Sequence, residues 1–204
     1  MKLKREFYNR DTVEVAKDLL GKILVHSVGG KITSGKIVEV EAYKGIIDKA
    51  AHTYNGRKTE RVEVMYGKPG LSYVFFIYGM HYCMNVVTRE EGIGEAVLIR
   101  ALQPVDGMEI MSERRYNLPF EELKEKQIIN LTNGPSKLCK AMDIDKRGCN
   151  GIDLCEDILF IKESHREPFD IGISKRIGID YAGEAKDFPW RFFIEGNKFV
   201  SKSR

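Results

Sequence analysis

The sequence has no two cysteines spaced as C-x-x-C. Cys83, Cys139, Cys149 and Cys155 are scattered instead. They read as reduced thiols of a cytoplasmic protein, and a zinc site is not expected. H-x-x-x-H and HExxH are missing as well, so no metal motif is present. The opening "MKLKREFYNR" is basic but leads into no apolar stretch, so the pattern of a signal peptide is absent. There is no repeat, low-complexity tract or linker. A large charge excess is lacking too: 33 Lys+Arg stand against 30 Asp+Glu, a net +3. That balance permits nucleic acid as a partner without demonstrating it, and any binding face for it must be local. What remains is an ordinary globular balance, 43% hydrophobic and 31% charged over 204 residues. It suits one domain, residues 1–204, with a core of real size.

Charge is also missing locally. From Pro69 to Thr88 no side chain is charged, apart from any proton on His81. A membrane span needs about 20 apolar residues. Here Ser72, the tyrosines, His81 and Asn85 would all want partners in lipid, so a span is not expected. "SYVFFI" and "YCMNVV" are instead rich in residues that suit strands. "YGMH" lies between them, and Gly79 supplies the permissive backbone of a tight turn. The run reads as a hairpin with Tyr78 and Met80 at its tip. Apolar groups there are either covered by the rest of the fold or meant to enter something else.

Other elements follow from pattern. "DTVEVAKDLLGK" is expected to be a helix capped by Asp11, with Glu14 in the capping-box position. Its apolar face would be Val13, Ala16, Leu19 and Leu20, and Gly21 would stop it. "KILVHSV" and "KITSGKIVEVEAY" read as antiparallel strands about Gly29-Gly30. "DKAAHTYNGRKTERVEVMYGKPG" reads as a long loop with some helix, and loops of that length are usually functional or disordered. "EAVLIRAL" reads as a buried strand. "DGMEIMSERRY", "PFEELKEKQ" and "NGPSKLCKAMDI" read as helices, the last with Pro135 in its first turn. "ILFIKE", "ISKRIGI" and "WRFFIEGNKFVS" read as further strands. The expected class is α+β: a curved, mainly antiparallel sheet with surrounding helices and a protruding β-hairpin.

Several residues could carry chemistry. In "VEVEAY" a strand would place Val38 and Val40 on one face, with Glu39, Glu41 and Tyr43 on the other. Two carboxylates on one face repel each other. They form either an exposed polar face or a site that activates water or pairs with a cation. Arg100 ends the apolar run "AVLIR", and a buried arginine needs an acid, which Glu39 or Glu41 could supply. His52 and His81 could be metal ligands, act as acid-base groups or be ordinary satisfied histidines. Arg57, Lys58 and Arg61 in "GRKTER" form either a solvated face or a contact for phosphates.

Taken in order along nearly the whole chain, "LLGKILV", "GKIVEVEAY", "AAHTYNGRKTER", "MYGKPGLSYVFFIYGMHYCMNVV", "AVLIRALQPVDG", "NGPSKLCKAM" and "RIGIDYAGEAKDFPWRFFI" resemble the alkyladenine (3-methyladenine) DNA glycosylase family, in its compact bacterial form. The resemblance implies a monofunctional enzyme that flips alkylated or deaminated purines out of duplex DNA and hydrolyses the N-glycosidic bond. It implies Glu41 as the general base for water, with Arg100 and the backbone carbonyl of Ile177 holding that water. Tyr43 and His52 would grip the flipped base, and Asn85 would crowd the amino group of normal guanine. Phe75 departs from the tyrosine of vertebrate members, so stacking is kept while the hydroxyl is lost. Tyr78 would wedge into the minor groove, widened by Met80, and Arg57, Lys58 and Arg61 would meet phosphates. The expected partner is double-stranded DNA containing damaged purines, bound by a monomer. No metal or organic cofactor is called for. Two other readings stand beside this one: a hydrolase of free nucleosides, and a non-enzymatic binder of damaged DNA.

Overall fold

In a computed structural model that describes residues 1–165 and 167–201, eight strands form one sheet. They are β1 (Ile23–Val28), β2 (Lys31–Tyr43), β3 (Ser72–Ile77), β4 (His81–Thr88), β5 (Glu95–Asp106), β6 (Leu159–Lys162), β7 (Ile171–Ser174) and β8 (Arg191–Ile194). The order is β3-β4-β5-β2-β1-β6, and β8 joins β2 with β7 outside it. Every pairing is antiparallel. The long strand β2 is the hinge of this plan. Its first half pairs with β1 and its second half with β8, while β5 runs along the other edge. The expected α+β architecture is the one observed.

Helices α1 (Arg5–Tyr8), α2 (Thr12–Leu19), α3 (Met108–Tyr116), α4 (Glu125–Ile129), α5 (Pro135–Met142) and α6 (Lys146–Cys149) surround the sheet. Asp11 caps α2, its carboxylate accepting the N–H groups of Val13 and Glu14. The buried face of α2 is Thr12, Val15, Ala16 and Leu19. Val13 is only partly covered, because 3.6 residues per turn carry Thr12 and Val15 into line with Ala16 and Leu19 instead. The main core holds Leu19, Val40, Ile99, Leu102, Leu138 and Met142, with smaller clusters around Tyr73 and around Ala182. Each such side chain contributes about 1.5–3 kcal/mol on burial.

Three expected elements differ. "ISKRIGI" is a strand only as far as Ser174. Beyond it the Arg176 guanidinium bonds to Asp48 and to two backbone carbonyls, and Gly178 at φ +76 turns the chain. "WRFFIEGNKFVS" leaves the sheet after Ile194, where Gly196 at φ +72 supports a turn. "PFEELKEKQ" divides into a 3-10 turn at Phe120–Glu122 and the separate helix α4. The long loop before the hairpin holds 3-10 turns at Tyr54–Gly56 and Glu60–Tyr66.

The hairpin of β3 and β4 is formed as expected, with Ile77 opposite His81. Its tip is bare: Tyr78 is 84% exposed and Met80 69%. The turn places Tyr78 at φ +52 and Gly79 at φ +68. Glycine takes such a conformation freely, whereas a tyrosine does so at a cost.

Candidate active site

With β5 on one edge of β2 and β8 on the other, the second half of β2 is enclosed. Glu39 and Glu41 both have 0% exposure, which excludes the exposed polar face. The alternation holds: Val38, Val40 and Ala42 lie in the core, and Tyr43 is beside Glu41. One irregularity then shapes the site. Between the pairs Glu39–Ala101 and Val40–Ile99 the ladder steps one residue on β2 and two on β5. Arg100 is left out of the pairing. Such bulges re-aim a side chain.

The guanidinium of Arg100 lies between the two carboxylates. Its Nε donates to Glu39 Oε1 at 3.0 Å, and Nη1 is 3.3 Å from Glu41 Oε1. Burial works against its charge, but Glu41 and Glu39 outweigh it and hold the Arg100 pKa above the ordinary value. Glu39 also accepts Arg191 Nε at 2.7 Å, and both the N–H and the hydroxyl of Ser201 at 2.7 Å. Three of its four donors, from Arg100, Arg191 and the Ser201 hydroxyl, converge on Oε1, and the Ser201 N–H meets Oε2. Glu41 is less fully bonded. Besides Arg100, the Ile177 N–H donates to Oε1 at 2.7 Å and the Tyr43 hydroxyl donates to Oε2 at 2.8 Å. Among the described residues that leaves one acceptor position open, on Oε2. Ile177 thus meets Glu41 through its N–H, a contact separate from the water-holding role that the resemblance implies for its carbonyl.

Beside this cluster lies a cavity of about 300 Å³, walled in part by Tyr43, His52, Phe75, Asn85, Arg100 and Ile177, with Tyr78 at its edge. His52 shares a hydrogen bond with the Tyr73 hydroxyl at 2.9 Å through Nδ1, and its ring meets Phe75 edge-on at 4.6 Å. Burial, with help from Arg61 and Arg57, pushes the His52 pKa down to about 4, so the ring is neutral at pH 7. Phe75 stacks on Tyr73 at 5.4 Å. Asn85 is 5% exposed, and its Nδ2 donates to the Tyr73 carbonyl at 3.1 Å. Burial, followed by the neighbouring Glu41 charge, holds the Tyr43 phenol well above its usual pKa. A larger groove of about 610 Å³, around Lys22, Lys36 and Phe169, contains none of these residues.

The remaining candidates lie outside the cavity. Arg57 borders a neighbouring open cleft that shares His52 and Tyr181 with the first. The Arg61 guanidinium is 5.6 Å from the Phe75 ring centre, and the Lys58 ammonium is 5.0 Å from that of Tyr66. His81 is exposed near the hairpin tip, beside Met80. No group of three or more His, Cys, Asp and Glu among the described residues could hold a metal ion. The four cysteines are free thiols.

Sequence reading missed Arg191, Ser201, Arg176 and Tyr181. Arg191 carried the same signal as Arg100, an arginine against an apolar strand, "RFFI". Arg176 is fully buried in a pair with Asp48 at 2.5 and 2.8 Å, and its guanidinium lies 4.6 Å from the Tyr43 ring centre. It ties the loop after β2 to the loop that carries Ile177. Nothing local in the sequence singled out Ser201 or Tyr181.

The family model described as Methylpurine-DNA glycosylase (MPG) matches residues 6–198. The chain belongs to this family. A protein of Clostridium acetobutylicum is 62% identical over 201 residues, 98% of each chain. One from Desulfitobacterium hafniense is 58% identical over 200 residues, again 98% of each. One from Alkaliphilus oremlandii is 57% identical over 202 residues, 99% of this chain and all of the other. Each bears the name "Putative 3-methyladenine DNA glycosylase". Methylpurine-DNA glycosylases are hydrolases of N-glycosyl bonds that act on DNA and open base excision repair. In this member no helix among the described residues is long and apolar enough to cross a membrane.

Proposed function

We propose that the chain excises 3-methyladenine and related alkylated or deaminated purines from double-stranded DNA, as one glycosylase domain acting as a monomer in the cytoplasm. The observation that carries this reading is the difference between the two buried glutamates. The three partners of Glu41, namely Arg100, Tyr43 and Ile177, all line the aromatic cavity and leave it an acceptor position on Oε2, whereas three of the four donors to Glu39 come from Arg191 and Ser201, outside that lining. A flipped purine enters that cavity. Tyr43 and His52 grip it, Phe75 adds apolar surface, and Asn85 crowds a guanine amino group. Neutral His52 can accept or donate a hydrogen bond to the base without repelling a cationic one.

Glu41 accepts a proton from water through Oε2. Arg100 and the Ile177 carbonyl hold that water, and the carboxylate also steadies the oxocarbenium-like sugar. Because Glu41 has no exposed surface, water reaches it only as Tyr43 or Ile177 gives way to the entering base. An alkylated purine carrying positive charge is already a good leaving group, and the aromatic wall favours it by cation–π attraction. Tyr78, with Met80, fills the gap left by the flipped nucleotide, and stacking of about 1–3 kcal/mol offsets part of the flipping cost. Arg57, Lys58 and Arg61 meet the phosphates. The chemistry needs neither metal nor organic cofactor, and water as nucleophile leaves the strand uncut.

The test is excision from duplexes that each carry one defined lesion. Glu41→Gln keeps the shape but cannot take a proton at neutral pH. It should abolish excision while lesion binding persists. Since general-base help is worth about 10²–10⁴-fold, a variant that keeps more than about a tenth of the rate removes Glu41 from this role. Activity on free nucleosides in place of duplex DNA would favour a nucleoside hydrolase.

A further inference from the structure

Glu39 has no part in the reaction just described, yet it is the most heavily bonded side chain of the cluster. We propose that Glu39 is a positioning residue: it fixes Arg100 so that Arg100 can align Glu41, and Ser201, near the end of the chain, latches Glu39 in place. The proposal rests on Glu41 being the base.

The geometry runs in one direction. Arg100 touches Glu39 through Nε and Glu41 through Nη1. A guanidinium is planar and rigid, so fixing the Nε edge also fixes where Nη1 points. Arg100 sits in a bulge, outside the regular ladder, so regular pairing does not dictate its aim. Glu39 is itself immobilised. Arg191 Nε and the Ser201 hydroxyl meet Oε1, and the Ser201 N–H meets Oε2. Arg191 also donates to the Ser201 carbonyl at 3.0 Å and to Ser174 Oγ at 2.9 Å. The last residues described thus close a ring around the carboxylate beneath the base. Charge supports the same division of labour. Arg191 and Arg100 together balance Glu39 and Glu41, so Glu39 keeps Arg100 from being drawn wholly onto Glu41, where it would cover the open acceptor position.

The experiment measures single-turnover excision with enzyme in excess, affinity for the lesion duplex, and the melting temperature, for Glu39→Gln, Ser201→Ala, Arg100→Lys and the pair Glu39→Gln/Arg100→Lys. Partners that orient a metal ligand are typically worth about 10–100-fold in affinity or activity, and a comparable fall in rate is expected for Glu39→Gln with duplex affinity unchanged. Ser201→Ala keeps every charge and the Ser201 N–H, and should lower the rate a few-fold with a fall in melting temperature smaller than that of Glu39→Gln. Lysine cannot bridge two carboxylates as arginine does, so Glu39→Gln should add nothing to Arg100→Lys; independent sites would instead add. Additive losses, or a full rate in either Glu39→Gln or Ser201→Ala, overturn the proposal. If Glu39→Gln does not fold, Ser201→Ala alone decides, and a full rate there overturns it. A Glu41→Gln control keeps the two ideas apart. If that control stays active, the proposed function fails; if it is dead while Glu39→Gln is fully active, only the positioning role fails.

Discussion

Replacing Arg100 with methionine keeps an unbranched, adaptable side chain that reaches about as far as the arginine Nε, and it removes one charge. The guanidinium side chain is 9% exposed and both carboxylates are 0% exposed, so bulk solvent screens the two charges poorly once it is gone. Among the described residues, Glu39 and Glu41 would be left with Arg191 as their one cation, and Arg191 bonds to Glu39. Removing one partner of a buried pair typically costs about 3–5 kcal/mol. That is a large part of the roughly 5–15 kcal/mol by which a native protein is stable. For a chain of this size each kcal/mol moves the melting temperature by about 2–4 °C, so a fall of roughly 6–20 °C is expected. The rate should fall as well, because Glu41 loses the group that aligns it. Thermal melts followed by circular dichroism, with single-turnover excision at a temperature where the variant is folded, give both numbers. Arg191→Met is the control: it touches Glu39 and not Glu41, so a similar fall in stability should come with a smaller fall in rate. Full activity with an unchanged melting temperature in Arg100→Met would refute the reasoning.

Tyr78→Ser should weaken the flipped complex by about 1–3 kcal/mol, with greater loss for a stably paired lesion than for one opposite a mismatch. Because Tyr78 is 84% exposed, the melting temperature should hold; equal losses in both duplexes with a lower melting temperature would return Tyr78 to a structural role. EDTA should leave excision unchanged, and activity lost in EDTA and restored by zinc would show a metal that the side chains do not suggest. His52 has a folded pKa of about 4, below its unfolded value. The unfolded chain therefore binds the proton first, and the stability from neutral His52 is complete above about pH 6.5 and lost as pH falls toward 4. Urea titrations between pH 7 and 4 should show this slope, flattened in His52→Gln; the same slope in both proteins would place its origin elsewhere.

The faces of the strands were legible and their distant partners were not. Period-two alternation put Glu39, Glu41 and Tyr43 on one side of β2, and an arginine ending an apolar run asked for an acid. Both inferences need only neighbours in sequence. The contacts that distinguish the two glutamates come from 136 residues away for Ile177 and 162 for Ser201, and no local pattern encodes them. The bulge at Arg100 was also invisible, because it depends on the mismatch between two strands. "ISKRIGI" has the spacing of a strand, and side-chain bonds from Arg176 override that preference. The hairpin was readable because two runs of strand-forming residues flank Gly79, and its apolar tip was the one departure from an ordinary turn. Tyr43, His52, Phe75 and Asn85 share one cavity although they come from three separate segments, and only the family resemblance gathered them beforehand.

Tyr78 holds a left-handed backbone at φ +52, a conformation that costs a residue with a Cβ about 1–2 kcal/mol. Glycine or asparagine at that position would relax the turn, and the exposed ring has little packing to lose. A selection for heat resistance alone would therefore be drawn to residue 78 and would discard the tyrosine early. The same variants should melt higher and handle paired lesions worse, so the hairpin tip is a place where durability and repair pull in opposite directions.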